Sequence, residues 1–228
     1  MATLATRDFE EGTQGATVGD LNGIEYNAGG VTYDTAVAAH GSKSAYTPNN
    51  NYGILTYDVT GMTSWRVRSY FYRGTDTQTG HHWLFDVHDG SGYVADLQIR
   101  NELGGRLRNR WDFNTDYEQA ASAMPTETWL RIDWNYTQSS TLEAIVYTAA
   151  DDTVEDYTLT VTSTAAALVW LRFGVITTGG IATHYDSIAI TDGTDPGSAA
   201  PAEAPSGSLR LPSVPSVPLI PSVNGIGV

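Results

Sequence analysis

Arginine at every second position is the first feature of this sequence that could do chemistry. Arg106, Arg108 and Arg110 alternate with Leu107 and Trp111. Successive side chains of a strand point to opposite faces, so the spacing sets three guanidinium groups on one face. Arg100 lies one turn away, and Arg66, Arg68 and Tyr70 on another strand are expected to join them as a glycan or partner face. A guanidinium grips a carboxylate or phosphate through a planar fork of donors. The stripe therefore suits an acidic partner surface or an anionic glycan, and Tyr70, Tyr72 or Trp134 on the same sheet would add a sugar platform. The competing reading is ion pairing with Asp and Glu of adjacent strands.

Other titratable groups carry weaker signals. His82, Asp86 and His88 share a face by alternation, without the ligand spacing of a zinc site. Asp86, Asp96 and Asp133 sit in strand-like runs, and Asp133 is expected to pair with neighbouring Arg131. Asp89-Gly-Ser-Gly92 and Asp192-Gly-Thr-Asp195 are oxygen-rich loops that would suit calcium, although turn chemistry explains both. No cofactor is expected beyond that calcium. No Ser-His-Asp grouping, phosphate loop or dinucleotide fingerprint is legible in the chain.

The elements that position these residues have period two. Strand-like runs cover Ile54–Thr60, Trp65–Tyr72, Trp83–Val87, Tyr93–Ile99, Arg106–Trp111, Trp129–Tyr136, Leu142–Tyr147, Asp156–Val161, Leu168–Ile176 and Tyr185–Thr191. Trp65, Val67 and Phe71 face one way, and Arg66, Arg68 and Tyr70 the other. Gly-rich and polar turns separate the runs. The one helical candidate is Tyr117–Met124, stopped by Pro125. Short strands at near-regular spacing predict an all-β antiparallel sandwich. The six tryptophans all fall in these strands and are expected to fill its interior. The first fifty residues read as a less regular edge, anchored by Phe9 and Val18.

Composition bounds the function. Across 228 residues the net charge is −14, which disfavours nonspecific binding to nucleic acid. No run of eighteen apolar residues occurs, so no membrane insertion is expected. The N-terminal residues do not read as a secretion signal. There is no cysteine, which removes disulfides and thiol chemistry.

Composition changes after Asp192. Seven of the nine prolines fall between Pro196 and Pro221. The division is a domain at 1–192, a Pro/Gly/Ala/Ser linker at 193–207 and an arm at 208–228. In the arm, Leu211 is followed by Pro212, Pro215, Pro218 and Pro221, with Val214, Val217, Ile220 and Val223 at the same interval. A polyproline II helix has about three residues per turn, so prolines stack on one edge and branched aliphatics on another. No charge follows Arg210. The arm reads as a segment that docks on a neighbouring subunit.

Trp129–Tyr136 followed by Leu142–Tyr147 resembles the paired central strands of concanavalin A-like (lectin/glucanase, laminin G-like) jelly rolls. His184–Asp192 resembles the closing strand of such domains, and Asp8-Phe-Glu-Glu-Gly12 their opening. The resemblance covers most of residues 6–192. It implies a jelly roll whose last strand returns beside the first. Domains of this style also resemble minor tail or capsid-associated virion proteins of actinobacterial tailed phages. Glycanases of this fold share a Glu-x-Asp-x-x-Glu strand; no Glu-x-Asp occurs here. Alginate lyases share a Gln-Ile-His strand, where this chain has Gln98-Ile99-Arg100.

The first functional expectation is therefore a non-enzymatic structural protein localised to a virion. It would be anchored by its arm to other capsid or tail proteins, form a homo-oligomer in the assembly, and present the jelly roll to a host cell-surface glycan. The alternatives are a carbohydrate-binding module and, after it, a polysaccharide-degrading enzyme.

Overall fold

A computed structural model of the chain describes residues 3–19, 25–27, 30–47, 53–75, 81–100, 103–112, 116–149, 154–175 and 182–193. The docking arm and the linker from residue 194 lie outside the described residues.

Two antiparallel sheets make an all-β jelly-roll sandwich. The front sheet runs β10 (Asp116–Ala123), β9 (Arg106–Trp111), β8 (Tyr93–Arg100), β7 (His81–His88), β14 (Trp170–Val175), β5 (Gly53–Asp58), β2 (Glu25–Asn27). The back sheet runs β13 (Tyr157–Thr162), β12 (Thr141–Tyr147), β11 (Trp129–Thr137), β6 (Ser64–Arg73), β15 (Thr183–Thr191), β4 (Ser44–Thr47), β3 (Thr32–Asp34). The first strand, β1 (Thr3–Arg7), pairs with the last, β15, from Thr3↔Thr191 to Arg7↔Ile188. The expected return of the closing strand beside the opening one is what forms.

Alternation builds the core. Trp65, Val67 and Phe71 of β6 face inward and are buried, as do Leu107 and Trp111 of β9. Phe9 and Val18 anchor the N-terminal edge in the same core. Aromatic rings fill the interior: Trp65 meets Trp134 at 5.0 Å within the back sheet, Phe85 meets Phe173 at 4.8 Å within the front sheet, and Phe85 meets Trp134 at 5.6 Å across the two sheets, between centroids. Such pairs add about 0.5–1.5 kcal/mol each beyond burial. One polar residue crosses this layer. Asn109 accepts the Trp134 indole N–H at 3.0 Å and donates to the carbonyls of Leu142 at 2.8 Å and Leu159 at 3.0 Å.

Two expectations are corrected. The segment 117–124 is strand, not helix: β10 pairs with β9 from Asp116↔Trp111 to Ala123↔Arg106. A single turn of helix gives little stability alone, so pairing along the sheet edge overrides local propensity. The tryptophans also divide. Trp65, Trp111 and Trp134 are core, while Trp83, Trp129 and Trp170 keep exposed surface.

Candidate functional site

The outer face of the front sheet collects the groups with chemical character. One rung crosses it: Arg110 (β9) stands opposite Asp96 (β8), Asp96 opposite Asp86 (β7), and Asp86 opposite Arg172 (β14). Arg172 grips Asp86 bidentately, Nε to Oδ1 at 2.6 Å and Nη2 to Oδ2 at 2.5 Å. Arg110 holds Asp96 through Nη2 and, at 3.2 Å, Nε. Burial pushes the Asp86 carboxyl up to about 6; Asp96 opposite adds to the rise and Arg172 opposes it. His88 is lowered to about 4 by burial and by Arg172, whose Nη2 donates to its Nε2 at 2.8 Å.

Aromatic rings flank this rung. Trp83 pairs with Gln98 on one side of it and Tyr93 with His88 on the other. Their rings nevertheless meet at 5.4 Å between centroids. They therefore meet above the intervening rung, which explains why Asp86 and Asp96 are buried although they face outward. Three exposed aromatics stand on the same face: Tyr117 is 54%, Trp170 40% and Tyr93 37% exposed.

Cations concentrate at one corner. Arg100 and Arg106 are direct cross-strand partners, and Arg108 follows along β9. Like charges directly opposite repel, so the fold tolerates a local cost there. Arg108 lies over the Tyr117 ring, 3.9 Å from its centroid. Burial, then Arg100 and Arg110, pull its pKa down. Beside it Gln98, 1% exposed, donates from Nε2 to Asp96 at 2.8 Å, while its Oε1 has no hydrogen-bond partner.

The arginines expected to share one face are split. Arg106, Arg108 and Arg110 are on the front sheet; Arg66, Arg68 and Tyr70 are on β6 of the back sheet, facing outward on the other side of the sandwich. Alternation gave the faces of β6 and β9 correctly, but it carries no information on which sheet a strand joins. Arg68 is tied bidentately to Asp133 at 2.7 and 2.6 Å, so Arg68 rather than Arg131, at 3.8 Å, is the main partner of that carboxylate. Tyr70 is buried with the His40 ring edge-on at 4.4 Å, and Trp134 is in the core. Neither offers a sugar platform. His82 does not join Asp86 and His88: the register shifts between Trp83 and Phe85, and His82 pairs with inward-facing Ile99.

The fold assembles a Ser-His-Asp group that the sequence did not reveal. His40 Nδ1 lies 3.2 Å from Ser187 Oγ, and Asp186 precedes Ser187 in a bulge of β15. The Asp186 carboxylate accepts the backbone N–H groups of Ala39 at 2.8 Å and His40 at 2.9 Å, not the imidazole. Those amides are thereby consumed rather than presented to an oxyanion. The arrangement pins the 35–43 loop onto β15. Asp89 Oδ1 accepts N–H of Ser91 at 2.9 Å and of Gly92 at 3.0 Å, an Asx turn. Among the described residues no three His, Asp or Glu side chains converge as a metal site.

No family model and no curated protein matches the chain. Solved structures do. The protein described as "Cellulose induced protein, Cip1" is 17% identical with a TM-score of 0.54, over 82% of this chain and 97% of that one. The receptor binding domain of botulinum neurotoxin C/D mosaic serotype is 9% identical with a TM-score of 0.58, over 85% of this chain and 49% of that one. A conserved carbohydrate esterase from Shiga toxin-encoding bacteriophage phi24B is 14% identical with a TM-score of 0.54, over 83% and 97%. At these identities the likeness is one of fold.

Proposed function

We propose that the domain is a non-catalytic glycan-binding jelly roll and that the outer face of its front sheet is the binding surface. The observation that carries this reading is the gathering of Tyr93, Tyr117 and Trp170 on one face, beside the arginine stripe. These are the exposed large aromatics among the described residues. A flat aromatic ring with a polar edge suits the apolar face and hydroxyl rim of a sugar. The carboxylates at hand support binding over catalysis. Asp86, Asp96 and Asp133 are each clamped by an arginine, and the Ala39 and His40 amides near Ser187 are taken by Asp186. A glycan array tests this reading. Binding should appear for a subset of cell-wall polysaccharides and fall in Trp170→Ala and Tyr117→Ala; silence across the array overturns it.

The wider setting is a virion, with the domain mounted on capsid or tail through residues 208–228. The uncharged triplet repeat of that arm and the cysteine-free chain support this placement. Deleting 208–228 should leave a folded glycan-binding domain that no longer incorporates into particles. Normal incorporation of the truncated chain overturns the placement.

A further inference from the structure

We propose that the ligand of the front face is an acidic polysaccharide, one of whose acid groups is held at Arg108 and Gln98. This rests on the glycan-binding reading and names the chemical class of its ligand. Arg108 has no carboxylate partner among the described residues, unlike Arg68, Arg110 and Arg172. The Tyr117 ring that it covers satisfies no N–H fork. Its enclosed Nε and the enclosed Oε1 of Gln98 are both without a hydrogen-bond partner, and the two residues stand directly opposite on β9 and β8. A buried polar atom left unpaired costs about 1–3 kcal/mol. The corner thus offers the outer part of the Arg108 fork to an acid, while the unpaired Gln98 Oε1 beneath it becomes an acceptor for a hydroxyl only when the side chains above it move aside.

Charge supports the same class. Arg100, Arg106 and Arg108 crowd one corner of a chain whose net charge is −14. A planar carboxylate or a sulfate fits the guanidinium fork equally.

Geometry sets the length of the ligand. Arg108 is on β9 and Trp170 on β14, three strand spacings or about 14 Å apart across the sheet. They also lie on opposite sides of the Asp86–Asp96 rung, in the rungs of Gln98 and His88 respectively. The two ends of the site are therefore diagonal corners, with the Trp83–Tyr93 pair between them. A monosaccharide cannot reach both; a chain of several sugars does.

Titration calorimetry of the full chain tests this with three hexasaccharides: a uronate oligomer, a sulfated oligomer and neutral cellohexaose. The expected result is that one acidic oligomer binds at least tenfold tighter than cellohexaose, and tighter than its own dimer. The choice between uronate and sulfate identifies the acid group. Arg108→Ala should erase that advantage, while Arg106→Ala, at the rim, reduces it less; thermal melts verify that both variants fold. If neutral and acidic chains bind equally and Trp170→Ala weakens both, the front face stands as a glycan site and the acid-group inference is wrong. If no glycan binds, or binding ignores Trp170→Ala, the glycan-binding reading itself fails and takes this inference with it.

Discussion

Asp86 and Asp96 are direct cross-strand partners on β7 and β8, two carboxylates side by side, each clamped by an arginine from the next strand outward. The order Arg–Asp–Asp–Arg across four strands alternates attraction and repulsion. The repulsive middle is held because both carboxylates are bidentately bound on their far sides. Burial then raises the Asp86 carboxyl.

Asp86 and His88 give the front sheet two opposed pH dependences of stability. Asp86 rises from its ordinary 3.8 to about 6, so the folded state binds a proton more tightly than the unfolded one. Its contribution is present at low pH and is lost as pH rises from about 4 to about 6. A shift of about two units corresponds to roughly 3 kcal/mol. His88 falls from 6.5 to about 4, and its contribution is lost in the opposite direction, as pH drops through the same window. The two oppose each other in the native protein. Asp186, pushed up to about 7 by burial, acts in the same direction as Asp86, so each variant is read against the unmodified chain: the urea-midpoint deficit of His88→Gln should shrink as pH drops from 6.5 to 4, and that of Asp86→Asn should shrink as pH rises from 4 to 6. Parallel pH profiles for the two variants would contradict this.

Asn109 should be among the costliest core positions. Asn109→Leu strands the Trp134 indole N–H and the carbonyls of Leu142 and Leu159 in an apolar layer. Each stranded group costs about 1–3 kcal/mol, so a loss of at least 3 kcal/mol is expected. Urea denaturation would show a lowered midpoint with an unchanged slope.

Gly105 should not tolerate a side chain. Its φ is +82°, and a Cβ would stand 2.4 Å from Nη1 of Arg73. Gly105→Ala is expected to lose about 1–2 kcal/mol from the left-handed backbone alone, read as a lower melting temperature. Gly104→Ala, with a similar φ of +77° and open space around it, should lose less. Equal losses would mean that Arg73 adjusts freely.

Trp170→Ala and Tyr117→Ala should separate binding from folding. Trp170 keeps 40% and Tyr117 54% of its surface in solvent, so each variant should lose about 1–2 kcal/mol of packing and stay folded. Losing one stacked ring, worth about 0.5–1.5 kcal/mol, should weaken a bound glycan by up to about tenfold.

Local pattern made most of the central strands and their faces legible. Trp65, Val67 and Phe71 point inward as their spacing requires, and Arg106, Arg108 and Arg110 share a face. What alternation cannot carry is pairing between distant segments. The separation of Arg66 and Arg68 from Arg108 depends on β6 joining β11 and β15 while β9 joins β8 and β10. The Asp86–Asp96 rung depends on register. The irregularity near Trp83 that removes His82 from the expected face leaves no mark in residue type. The His40–Ser187 contact joins a loop to a bulge, and neither has a periodicity to read. Asp116–Ala123 misleads for the converse reason: alanine favours helix locally, and only the neighbouring strand overrides it.

The pairing of β1 with β15 has a consequence for biosynthesis. Among the described strands, β1 finds its ladder partner in β15, far along the chain, which also supplies the centre of the back sheet. Such high contact order slows folding, and the emerging chain must hold Thr3–Arg7 unpaired until Thr183–Thr191 is made. A chain halted before residue 183 would therefore carry an open jelly roll with β1 still unpaired.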